Sequence, residues 1–138
     1  MSNIKLLHII YLLVVMTVIH FTVVSIGLNE QSIIWVDNVL HILAGVVIAM
    51  SWFRIIQKTL KTSIENTPTL IIISSTVGFV LFIALFWEIF EFAYWKGVPE
   101  WANKFKFYSP TIADALIDMV LDLIGGAVFF LFISRKKR

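Results

Sequence analysis

The chain has 138 residues, of which 59% are hydrophobic and 14% charged, and its mean hydropathy is +0.92. Water-soluble domains hold about 45–50% apolar and about 25% charged residues, so this composition excludes them and indicates a membrane protein. The absence of cysteine excludes disulfides, thiolate metal sites and cysteine nucleophiles. A net charge of +2 gives no reason to expect a nucleic-acid partner; membrane lipids are the expected one.

Four apolar runs, at about 6–28, 32–56, 68–95 and 110–134, are each long enough to cross a hydrocarbon core, which takes about 20 helical residues. They are continuous rather than alternating, and backbone groups in lipid must be satisfied within the segment, so helices are expected rather than strands. The expected fold is an all-α integral membrane four-helix bundle forming one domain over residues 1–138. The first run is too long for the core of a signal peptide, about 7–15 residues, and no small-x-small cleavage site follows, so it reads as a retained helix. Thr67-Pro68 and Ser109-Pro110 each look like a hydroxyl N-cap followed by proline at the first helical position.

With four spans, both termini and the middle connection share a side. That side carries Lys5, Arg54, Lys58, Lys61, Arg135, Lys136, Lys137 and Arg138, eight cations against three (Lys96, Lys104 and Lys106) on the other. The positive-inside rule then gives cytoplasmic termini in a cell-membrane protein. The third connection, with Trp101, Phe105, Phe107 and Tyr108 among its lysines, is expected at the outer interface.

The informative residues are the ionisable ones inside the spans. Six of the nine acidic residues fall there: Asp37, Glu88, Glu91, Asp114, Asp118 and Asp122. Left unpaired in lipid they would cost on the order of 15–20 kcal/mol, so they are expected to face the bundle interior. At a rise of about 1.5 Å per residue, they lie between about 6 Å (Glu91 and Asp114) and about 18 Å (Asp122) from the outer end of their spans. His20 and His41 fall in the same band. Asp37 and His41 are spaced i,i+4, Glu88 and Glu91 i,i+3, and the three aspartates i,i+4,i+8, so each set shares one helix face. Gly45 and Gly125 continue those faces, and the small-xxx-small run from Gly45 to Ala49 permits close helix approach.

Carboxylates and imidazole converging in a helical bundle suit a divalent cation such as Zn, Mn or Fe. The expected ligands are Asp37, His41, Asp114, Asp118, Asp122 and His20, with Glu88 or Glu91 as general base in an enzyme acting on a lipid or lipid-linked substrate. Two alternatives remain. One is a proton or cation pathway, disfavoured because the inner half lacks matching polar residues and no broken helix pair is visible. The other is a structural role, with neutral acids bonding one another between helices. No lysine or arginine within the outer half is placed to hold a phosphate, and Lys96 at the rim is the nearest.

"DNVLHILAG" in the second run, "WEIFEF" in the third and "DALIDMVLDLIGGA" in the fourth resemble the VanZ-like and YjdF-like small bacterial membrane proteins. These carry D-x-x-x-H, then E-x-x-E or a single Glu, then D-x-x-x-D before a Gly-Ala pair. The matching positions are Asp37, His41, Glu88, Glu91, Asp114, Asp118, Gly126 and Ala127, within residues 35–130. The chain lacks the Gln that often follows the VanZ-like Glu and has Asp122 where that group often has Asn. The YjdF-like match in the last two spans is closer, although the chain is shorter than is typical there. The resemblance implies a multi-pass membrane protein, with glycopeptide resistance associated with some members and no common biochemical activity.

Overall fold

The computed structural model describes residues 5–27, 30–60, 67–97 and 111–135, and these form four α-helices. They are α1 (Leu6–Ile26), α2 (Glu30–Leu60), α3 (Thr69–Gly97) and α4 (Ile112–Arg135). All four are long and apolar enough to span a membrane, and no strand occurs among the described residues. Ser109, Pro110, Lys61, the aromatics and lysines of the third connection, and residues 136–138 lie outside the described set.

Local chemistry explains the helix ends. Gly27 closes α1 at φ 66° and ψ 50°, the left-handed conformation that glycine adopts without a Cβ penalty. Pro68 stands just ahead of α3, and its carbonyl accepts hydrogen bonds from the amides of Ile71 (2.9 Å) and Ile72 (3.3 Å). At α4 the cap is Thr111: its Oγ1 accepts from the Asp114 amide at 3.1 Å, two residues later than the expected Ser109-Pro110 start. Helix α2 continues four residues past the expected 56, because Gln57 and Lys58 extend the helix beyond its apolar part.

Inside the helices, hydroxyls bond to carbonyls a turn back. Thr17 Oγ1 donates to Leu13, Ser51 Oγ to Val47 and Thr76 Oγ1 to Ile72, at 2.7–2.8 Å. This removes the cost of carrying them through lipid. Large apolar side chains lie bare on every helix, including Leu7, Leu70 and Ile112, each at least 70% exposed. A surface of that kind is stable against lipid tails and not against water.

Packing centres on α2 and α4, which make the most extensive contact. Helix α3 lies against both, and α1 touches α2 alone among the described helices. The α2–α4 crossing is backbone on backbone. A Cβ built on Gly45 would fall on the Asp122 carbonyl, and one on Gly125 would fall on the carbonyl of Ile42. Taken more widely, His41 against Asp118, Ala49 against Gly126 and Phe53 against Phe129 (ring separation 5.8 Å) run in the same order along both helices, so α2 and α4 are parallel. Gly126 meets Val80 and Ala49, while Trp52, further along α2, meets Ser75, earlier on α3, at 3.2 Å, so α3 is antiparallel at the same level.

Toward the end of the bundle that holds both termini, Ile9, Val47, Ala49, Phe53, Ile56, Ile72, Val80 and Phe129 form a closed apolar cluster. The opposite end, where α1 leads into α2 and α3 into α4, is called the distal end below.

Candidate metal centre

The crossing at Gly45 and Asp122 places the polar faces of α2 and α4 against each other one turn on its distal side. His41, one turn from Gly45, is 5% exposed, and Asp118 and Asp122 are 1% and 2% exposed. His41 Nδ1 lies 3.4 Å from Asp122 Oδ2. Its other nitrogen, Nε2, lies 3.8 Å from Asp118 Oδ2 and 3.9 Å from Asp37 Oδ2.

These distances divide the imidazole's partners into two kinds. A separation of 3.4 Å is a long hydrogen bond, whereas 3.8–3.9 Å is too long for one. When Nδ1–H donates to Asp122, the lone pair is left on Nε2, facing the space between Asp37 and Asp118. Ligating histidines commonly hold their second ring nitrogen on a carboxylate in this way. Asp37, His41 and Asp118 each offer one ligand atom, all within 4.8 Å of one another, and could hold a metal ion. Tetrahedral ligands at about 2.1 Å from a cation stand about 3.4 Å apart, so closure requires shifts of about 0.7 Å per atom.

The carboxylates around this group are poorly satisfied. Both oxygens of Asp118, both of Glu88 and Oδ1 of Asp122 are buried with no hydrogen-bond partner among the described residues. Glu88, on α3, is 4% exposed. Glu88 lies within Coulombic reach of Glu91, Asp118, His41 and Asp114, and Glu91 within reach of Asp37, His41 and Asp114; between the acids that interaction is repulsive. Neither lysine nor arginine occurs in residues 30–53, 62–95 or 107–134, so within these stretches the basic side chain beside the acids is the His41 imidazole.

Burial is graded along each helix. Asp37, Glu91 and Asp114, nearer the distal end, are half-buried, while His41, Glu88, Asp118 and Asp122 one or two turns deeper are buried. The acids thus line a site that becomes more accessible toward that end.

Every carboxylate around His41 is one that the sequence singled out. Of the expected ligands, the structure gathers Asp37 and Asp118 at Nε2 and Asp122 at Nδ1. Asp114 is at the start of α4, one turn from Asp118 on the distal side. His20 is not part of the ligand group: it is half-buried on α1, edge-on to Phe21 at 5.5 Å, on the helix that does not reach α4. The split between the two faces of His41 was not legible from spacing, because it depends on the parallel register of α2 and α4.

A family model described as "Predicted membrane protein (DUF2238)" matches residues 1–138. The chain belongs to that family. The YjdF-like resemblance is to this same DUF2238 family. No match was found among curated proteins or among solved structures. Membership in DUF2238 establishes a membrane protein in contact with lipid, and the chemistry of the site rests on the geometry above.

Proposed function

We propose that this DUF2238 protein binds a divalent cation through Asp37, His41 and Asp118 and uses it on a lipid or lipid-linked substrate at the outer face of the cell membrane. The observation that carries this reading is the arrangement at His41, with Nδ1 on a buried aspartate and Nε2 facing two more at distances too long for hydrogen bonds. Oxygen-plus-imidazole ligation suits zinc, manganese or iron. Glu88 and Glu91, on the neighbouring helix, are the groups to accept a proton from a metal-activated water. The outward opening follows from the lysine and arginine asymmetry, with both termini cytoplasmic. A VanZ-like relationship, read from the same short motifs, is part of this proposal and adds no residue to the site.

The alternatives fit less well. Acids serving as interhelical glue would bond one another, yet the oxygens of Asp118 and Glu88 have no such partners. A transport path would need polar groups beyond the site, where the apolar cluster around Phe53 lies instead.

The test is elemental analysis of detergent-purified protein after metal-replete growth, comparing wild type with His41→Ala. Stoichiometric metal in the wild type and its loss in the variant are expected. Wild-type protein without stoichiometric metal would end the proposal. A reporter fused at Arg138 should act on the cytoplasmic side; activity on the other face would reverse the orientation.

A further inference from the structure

Three helices meet where Ala49 of α2 and Val80 of α3 both lie against Gly126 of α4. Eight residues from that junction toward the distal end, about 12 Å along each axis, stand His41, Glu88 and Asp118. The count runs backward on α2 and α4 and forward on α3, because α3 is antiparallel to the other two. Between α2 and α4 it is checked by distance, since His41 Nε2 and Asp118 Oδ2 are 3.8 Å apart. On α3 burial marks the inward face: Ile72, Thr76, Val80, Ala84 and Glu88 form one buried i,i+4 stripe. Glu88 ends that stripe, so its carboxylate is turned inward at the level of His41 and Asp118.

Glu88 is not one of the groups placed to hold the ion, which are Asp37, His41 and Asp118. It is 4% exposed, and neither of its oxygens has a hydrogen-bond partner among the described residues. Protonation would remove its charge but would leave a buried O–H without an acceptor, itself a costly state. Glu91, about one turn nearer the distal end on the same face, is half-buried and repels the Glu88 charge further. The two glutamates therefore favour a cationic hydrogen-bond donor and disfavour an anion. A phosphate at this level would find no lysine or arginine from residues 30–53, 62–95 or 107–134 to hold it.

We propose that the head group of the substrate carries a primary ammonium, and that Glu88 receives it beside the ion held by Asp37, His41 and Asp118. An ammonium brings a positive charge and three N–H donors, enough for both oxygens of Glu88. A neutral hydroxyl brings one donor and no charge, and a phosphate monoester brings charge of the wrong sign. Approach is from the distal side, where Asp37 and Glu91 are half-buried rather than buried. The inference rests on the metal-binding reading above and names its substrate class: lipids with an amine in the head group rather than purely anionic ones. Glu91 remains as the group to accept a proton from metal-activated water.

The experiment titrates wild-type protein, loaded with the metal found by elemental analysis, in a nonionic detergent. Three eight-carbon probes are compared by calorimetry: octylammonium, octanol and octyl phosphate, each corrected for uptake by protein-free micelles. One octylammonium per chain is expected, bound about tenfold or more tightly than either of the others. Glu88→Gln keeps the side-chain shape and lies outside the ligand group, so the metal content should persist. Octylammonium binding should fall about 10–100-fold, the worth of a hydrogen bond to a charged group. Octylammonium bound no better than octanol or octyl phosphate by the metal-loaded wild type overturns the substrate class and leaves the ion site standing. Binding that folded, metal-loaded Glu88→Gln leaves unchanged does the same. Wild-type protein without stoichiometric metal overturns both.

Discussion

Gly45→Ala tests the contact on which the site depends. A Cβ at Gly45 would stand 2.6 Å from the carbonyl carbon of Asp122 and 2.8 Å from its Cα, and would collide with the carbonyl oxygen. Carbon atoms rest at about 3.5–4.0 Å, so α4 must retreat from α2 by about 1 Å. The obstruction is helix backbone, which cannot turn aside as a side chain does. Overpacking of this sort costs about 1–3 kcal/mol, against a gain of about 1 kcal/mol from replacing glycine by alanine within a helix. A retreat of about 1 Å would carry the Asp122–His41 contact, now 3.4 Å, beyond hydrogen-bonding range. It would also spread the ligands of the proposed cation.

Gly78 supplies the control. It lies on α3 with nothing within 4 Å of an added Cβ, so Gly78→Ala should be neutral or stabilising by up to about 1 kcal/mol. Thermal unfolding of both variants in one detergent, with cation binding measured in parallel, decides the matter. Gly45→Ala is expected to unfold at a lower temperature than wild type and to bind cation more weakly, while Gly78→Ala matches wild type in both respects. Equal stability and binding in the two variants would refute a backbone contact between α2 and α4 at this level.

Asp122→Asn should leave the fold intact and weaken cation binding by about 10–100-fold, the usual effect of disturbing the group that orients a ligating histidine, with binding titrations as the check. Phe53→Ala, in the apolar cluster on the terminal side of the site, should destabilise by about 3–5 kcal/mol as judged by denaturation, while folded protein keeps its cation stoichiometry. Thr111→Ala removes the cap of α4 and should cost about 0.5–2 kcal/mol in the same assay, with its effect confined to the first turn bearing Asp114. Cation affinity should fall as pH is lowered, because protons compete for the carboxylates and imidazole, and binding should release protons to a weak buffer.

Hydropathy marked the four helices because a span in lipid must be both long and apolar, and those constraints appear directly in composition. It marked their ends less well. Helix α2 outruns its apolar segment because backbone hydrogen bonding extends into the polar Gln57 and Lys58, and Gly27 ends α1 through a backbone conformation that hydropathy does not register. The site was legible to the extent that intramembrane charge is too costly to leave scattered. Spacing put Asp37 with His41, and Asp114 with Asp118 and Asp122, on shared faces. It could not assign a face to α1, which is apolar all round, so the level of His20 said nothing about its direction. Nor could depth alone reveal that α2 and α4 run parallel and in contact while α1 stands off, because helix neighbours are set by packing.

The glycines explain why the polar groups lie where they do. Crossed helices are closest at one point and diverge on either side of it. Here the closest point is the contact of Gly45 with Asp122 and of Ile42 with Gly125. The buried carboxylates and His41 lie at or just distal to that point, and the half-buried Asp37, Glu91 and Asp114 lie further toward the distal end. Below the crossing, Ala49, Val80 and Gly126 meet, and beyond them Phe53 and Phe129 complete an apolar floor. The apolar cluster offers an ion no carboxylate or imidazole like those around His41. An acid site on the distal side of an apolar cluster is the arrangement that the proposed chemistry at one membrane face requires.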